Sequence, residues 1–196
     1  MVQIPTPKPK LTFEQYLAYD DGSDNRYELV DGELIALPPE SGLNDAIATW
    51  LLVQLIQVVG DYRLVRKHSC EVQVPGNPPN RWPDLVVLRA EHLPLIEKRL
   101  TITLDMPAPS VVIEVVSPGQ ENRQRDYDAK CLQYQACGIP EYWLIDPQEQ
   151  VVRVLSLQGR RYHEEAFRGN QVIMSQAIPG VMSRQLTAEQ ILSAGL

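Results

Sequence analysis

Three cysteines and three histidines are all that the 196-residue chain offers toward disulfide or soft-metal chemistry. Cys70, Cys131 and Cys137 form no CxxC pair and leave an odd count, so neither a disulfide framework nor a cysteine zinc site is expected. His68, His92 and His163 are scattered, with no HExxH and no paired spacing, and a histidine metal site is not expected either. No GxSxG nucleophile elbow is present. No glycine-rich phosphate loop is present, which argues against ATP or NAD use. Long hydrophobic runs are also missing: Val111 to Ile113 and Val115 to Val116 fall far below the ~20 residues of a membrane span. Residues 1–10 hold three prolines and no apolar stretch of the secretory kind. Together with the cysteine pattern this points to a reducing, cytoplasmic setting and no membrane partner.

Hydrophobic residues make up 44% of the chain and charged residues 22%, the balance of an ordinary globular domain. The net charge of -7 argues against broad attraction to a polyanion. Residues 63–99 nevertheless carry 7 basic and 4 acidic groups, against 3 and 10 in residues 1–62. A local basic patch and a plain solvated surface both fit that distribution. The expected organisation is a polar, flexible arm over residues 1–10 and one domain over residues 11–196.

Thr12 and Gln15 stand at capping-box spacing at the head of a short helix. Asp31-Gly32 divides two strand-like segments as a hairpin turn does. Ile47, Leu51, Leu55 and Val58 trace a helical stripe that Gly60 stops. Leu85 to Leu88 and the β-branched run Val111 to Val116 read as buried strands, and residues 90–109 as loop-rich. A helix over residues 122–137 carries Tyr127, Cys131 and Tyr134 on one face, and a strand over 141–145 follows it. A hairpin of 151–157 with 161–167 and a short helix over 187–192 close the chain. The order strand, strand, helix, strand predicts an α/β fold: a mixed sheet flanked by helices, with one β-α-β crossover expected to be right-handed.

Glu114 is the residue out of place. Alternation sets Val112, Glu114 and Val116 on one face of the strand and Val111, Ile113 and Val115 on the other, and both faces are apolar. A carboxylate there is desolvated, and a cation is the common remedy that keeps it ionised. An arginine partner, or a place near a sheet edge, would also account for it. Asp84, after Pro83, begins the neighbouring apolar strand. Two strands that each present one carboxylate can hold one hard divalent ion, and the Val115 carbonyl is a candidate third ligand. Lys130, on the helix after the Glu114 strand, can reach that strand's upper end and stabilise developing negative charge. It can equally pair with Asp126 at i,i+4. Glu28 alternates with Arg26 and Val30, as a surface strand residue or as a third acid at the same site. Trp82, Tyr142 and Trp143 could stack on bases, with core packing the alternative for Trp143.

The blocks Arg26-Tyr27-Glu28-Leu29-Val30-Asp31-Gly32-Glu33-Leu34, Pro83-Asp84-Leu85-Val86-Val87, residues 109–118 around Glu114, Arg125-Asp126 with Lys130 and Tyr134, and Gly138 to Pro147 occur in an order that resembles the Uma-type restriction endonucleases of the PD-(D/E)XK superfamily. The resemblance runs from about residue 11 to about residue 167. It implies a restriction-endonuclease-like core and a Mg2+-dependent endonuclease acting on DNA, with Mn2+ as a substitute ion. Asp84 and Glu114 would be the metal-binding acids, Lys130 the lysine moved onto the next helix, and Glu28 the additional acid. Two departures stand out. Val116 occupies the position, two residues after Glu114, where the superfamily often has lysine, and Asn44 stands where relatives often carry histidine. A non-catalytic interaction or nucleic-acid-binding protein that keeps the fold is the rival reading. A homodimer would supply the two sites that duplex cleavage needs.

Overall fold

Local signals set the elements at the start of the chain in the computed structural model, which describes residues 10–195. The arm expected over residues 1–10 therefore lies, apart from Lys10, outside the described residues. The Thr12 hydroxyl accepts the Gln15 N–H and the Gln15 side chain accepts the Thr12 N–H, capping helix α1 (Phe13–Leu17) reciprocally. Asp31 and Gly32, at φ 51° and 82°, turn strand β1 (Tyr27–Val30) into β2 (Glu33–Ala36). Helix α2 (Gly42–Val59) starts where Ser41 Oγ accepts the Asn44 N–H and ends at Gly60, whose φ of 80° suits a residue without a Cβ.

Strands β3 (Val65–Lys67), β4 (Glu71–Gln73), β5 (Asn80–Arg81), β6 (Leu85–Val87), β7 (Thr101–Ile102) and β8 (Val111–Val115) follow. Then come helix α3 (Gln120–Gln124), a π-helical turn over Arg125–Lys130, and helix α4 (Cys131–Ala136). Strands β9 (Glu141–Asp146), β10 (Val151–Gln158) and β11 (Arg161–Phe167) precede helices α5 (Pro179–Ser183) and α6 (Ala188–Leu192).

Six strands form the main sheet in the order β11-β10-β9-β8-β6-β3. Within this sheet only β8 and β9 pair in parallel, and the helical segment 120–136 makes their crossover. The alternation of β8 divides the core as expected. Val111, Ile113 and Val115 join Ile47, Leu51 and Leu55 of α2 on one face. Val112 and Val116 join Tyr134, Tyr142 and Leu144 on the other. By length and composition α2 is apolar enough to cross a membrane. One face of it, with Ile47, Ala48, Leu51 and Leu55, is fully buried in the first of these clusters.

The structure departs from the sequence expectation in the small sheet and in the crossover helix, besides adding β3 and α5. A three-stranded sheet, β5-β4-β7, stands apart from the main one and includes a strand in the segment read as loop-rich. The two-residue strands β5 and β7 carry too little alternation to announce themselves. The helix expected to run unbroken over 122–137 is interrupted by the π-helical turn.

Candidate active site

The pairing of β6 with β8 sets Leu85 opposite Ile113, and one register step further brings Asp84 toward Glu114. Both carboxylates are buried, at 5% and 3% exposure. Asp84 Oδ2 accepts the Val115 N–H at 2.6 Å. Burial holds the Asp84 carboxyl well above the usual carboxylate range, and the Glu114 charge pushes it the same way. Lys130 and the Val115 N–H oppose that shift without cancelling it. Asp84 and Glu114 thus stand at facing positions of neighbouring strands, close enough for the Glu114 charge to bear on Asp84.

Glu114 has partners on both oxygens. The Tyr134 hydroxyl donates to Oε1 at 2.9 Å, and Lys130 Nζ stands 2.8 Å from Oε2. The same ammonium is 2.9 Å from Asp126 Oδ1, so the two pairings weighed for Lys130 coexist. Burial pushes the Glu114 carboxyl up against the pull of Lys130. Burial would lower Lys130, but Glu114 and Asp126 outweigh it and keep the ammonium protonated. The π-helical turn runs from Arg125 to Lys130 and carries both Asp126 and Lys130, which are buried. Such turns recur at functional sites.

The Val115 carbonyl accepts the Asn44 side-chain amide at 3.1 Å, and that amide also donates to Ser117 Oγ at 3.1 Å. A carbonyl oxygen has two lone pairs, so one remains for a further ligand. Glu28 is not in direct contact with this group. Arg81 Nη1 lies 3.1–3.2 Å from both Glu28 oxygens while Arg81 Nε donates to Gln133, which ties the acid to the helix that carries Lys130 and Tyr134. Tyr142 and Trp143 are fully buried, which removes them from base stacking. The Trp82 indole donates to the Tyr27 carbonyl, and its ring helps line a cleft of about 470 Å³ with Tyr16, Tyr19, Tyr27 and Arg99.

Sequence reasoning missed His68. Its Nδ1 lies 3.3 Å from Asp84 Oδ1, and donor atoms of Glu40, His68 and Asp84 all fall within 4.8 Å of one another. Burial and the Lys67 and Arg26 charges pull the imidazole down to about 4, so it is neutral at physiological pH. No motif marks a lone histidine sixteen residues before an aspartate. Only the antiparallel pairing of β3 with β6, which returns the His68 N–H to the Asp84 carbonyl at 2.9 Å, brings the two together. Tyr134 carried one signal, its place on the buried helix face.

The mixed α/β sheet thus presents two buried acids at neighbouring strands, with a lysine supplied by the helical crossover. The Uma2 family model, described as "Putative restriction endonuclease", matches residues 13–189, and the chain belongs to that family. Its fold is similar to a crystal structure described as a putative nuclease belonging to DUF820 from Anabaena variabilis, with TM-score 0.70 and 24% identity over 95% of this chain and 99% of that one. At that identity the likeness establishes a shared fold. No curated protein matches the chain.

Proposed function

We propose that the protein is a Mg2+-dependent endonuclease that hydrolyses phosphodiester bonds of DNA. The observation that carries this reading is the meeting of Asp84, Glu114 and Lys130 across β6, β8 and the π-helical turn. The donor set fits a hard cation: two carboxylates and the free lone pair of the Val115 carbonyl are oxygen ligands of the kind Mg2+ prefers. Mn2+ is the expected substitute. The raised Asp84 carboxyl supports the same fit, because a cation relieves the cost of holding two buried negative charges together. A divalent ion bound there supplies Lewis acidity toward water and the scissile phosphate.

The chain's own groups have separate tasks in this reading. Asp84 is held through Oδ2 by the Val115 amide, which leaves Oδ1 for an ion. Lys130, cationic and anchored by Asp126, faces charge that develops on the phosphoryl oxygens. Tyr134 keeps Glu114 in one orientation. Glu28, fixed by Arg81, helps position water or a second ion. A homodimer would present two such sites to one duplex.

The test is nicking of supercoiled plasmid by purified protein with Mg2+ or Mn2+. Asp84→Ala and Glu114→Ala should each abolish it. Equal nicking by both variants would assign the activity to a contaminant or to another site. The Asn44 amide on the Val115 carbonyl favours a second reading, a non-catalytic nucleic-acid-binding protein, because it occupies part of the candidate ligand set. That reading expects DNA retention without turnover under any metal.

A further inference from the structure

We propose that the His68 imidazole is a nitrogen ligand of the metal centre and biases it toward borderline first-row divalent ions over Mg2+. The inference rests on the metal-site reading above and adds a donor outside the all-oxygen set.

Three observations support it. Both ring nitrogens of His68 are buried, and neither has a hydrogen-bond partner among the described residues. Unpartnered polar atoms of this kind are rare in folded proteins and call for a specific explanation. The Nδ1 of this ring stands 3.3 Å from Asp84 Oδ1, the one Asp84 oxygen that the Val115 amide leaves free. Two ligands that share one ion at about 2.1 Å stand roughly 3.0–3.4 Å apart when they occupy neighbouring coordination positions. Glu40, exposed just ahead of α2, brings a carboxylate oxygen within 4.8 Å of the same donors.

The ligand chemistry follows from the donor set. Mg2+ takes oxygen donors and sheds water reluctantly, whereas imidazole suits the later first-row ions. One imidazole with two or three carboxylates therefore favours Co2+ or Zn2+, while Mn2+, a harder ion that still takes an imidazole more readily than Mg2+ does, serves as the paramagnetic probe. His68 is a ligand in this proposal and takes no part in proton transfer.

The test uses full-length protein with one equivalent of Mn2+, read by electron spin echo envelope modulation. The expected spectrum shows nitrogen coupling to the bound ion. His68→Asn should remove that coupling and lower Mn2+ affinity relative to Mg2+ by about tenfold or more, since even indirect partners of a metal site are worth that much. Glu40→Gln should weaken binding and leave the coupling in place. Mn2+ that binds in an Asp84-dependent manner without nitrogen coupling overturns the role of His68 and leaves the metal site standing. Coupling that survives in His68→Asn also overturns it, because another nitrogen then supplies the signal. No Mn2+ binding at all removes the metal-site reading itself. The wild-type spectrum decides even if a variant does not fold.

Discussion

Lys130 Nζ stands 2.8 Å from Glu114 Oε2, an ion pair that ties the π-helical turn to the central strand of the sheet. Both side chains are almost wholly removed from water. Their separate costs of burial are tolerable only together, and breaking such a pair from one side strands a buried charge.

That relationship gives the first prediction. Lys130→Met should lower stability by about 3–5 kcal/mol in metal-free buffer, measured by urea denaturation. Adding Glu114→Gln should recover much of the loss, because the stranded carboxylate is then gone. Costs that simply add in the double variant would show that the two residues do not act as a pair.

A second buried carboxylate lies outside the candidate site and should matter to stability alone. Glu71 accepts the Tyr16 hydroxyl and the Asn80 amide on Oε1, and the Thr101 hydroxyl and Arg99 guanidinium on Oε2. It joins α1 to the small sheet. Glu71→Ala should cost about 3–5 kcal/mol, since the donors are left without an acceptor. Metal affinity per folded molecule, followed by calorimetry, should stay unchanged. A drop in affinity with unaltered stability would contradict the assignment.

Asp146 supplies a pH dependence. Burial alone would push its carboxyl up. The Glu149 N–H, the Tyr127 hydroxyl and the Arg123 guanidinium outweigh burial and hold it below the usual range. The unfolded chain therefore takes up a proton there first as pH falls. The stabilisation from Asp146 is fully present above the unfolded value of about 3.9 and is lost as pH drops through the lower folded value. Thermal melts should show Asp146→Asn destabilised relative to the parent at pH 6, with the gap narrowing below pH 4. A constant gap down to pH 2 would show that ionisation of Asp146 contributes nothing.

Much of this was legible in the chain because the signals were local. The capping box of Thr12 and Gln15, the Asp31-Gly32 turn and the Gly60 stop each depend on a few adjacent residues, and each appears in the structure. The alternation around Glu114 foretold both its burial and which valines share its face. The remainder depends on contacts between distant segments. Lys130 is buried and lies in a π-helical turn, which no spacing rule anticipates. His68 reaches Asp84 only through the pairing of two three-residue strands, and its lone occurrence in the sequence resembled background.

The central claim is that Asp84 and Glu114 share one divalent ion, and a Mn2+-soaked crystal tests it most directly. Anomalous scattering should place the ion about 2.1 Å from a carboxylate oxygen of each residue, with Lys130 still within reach of Glu114. Full Mn2+ occupancy elsewhere, or none at saturating metal with Glu114 still held only by Lys130 and Tyr134, would contradict the account.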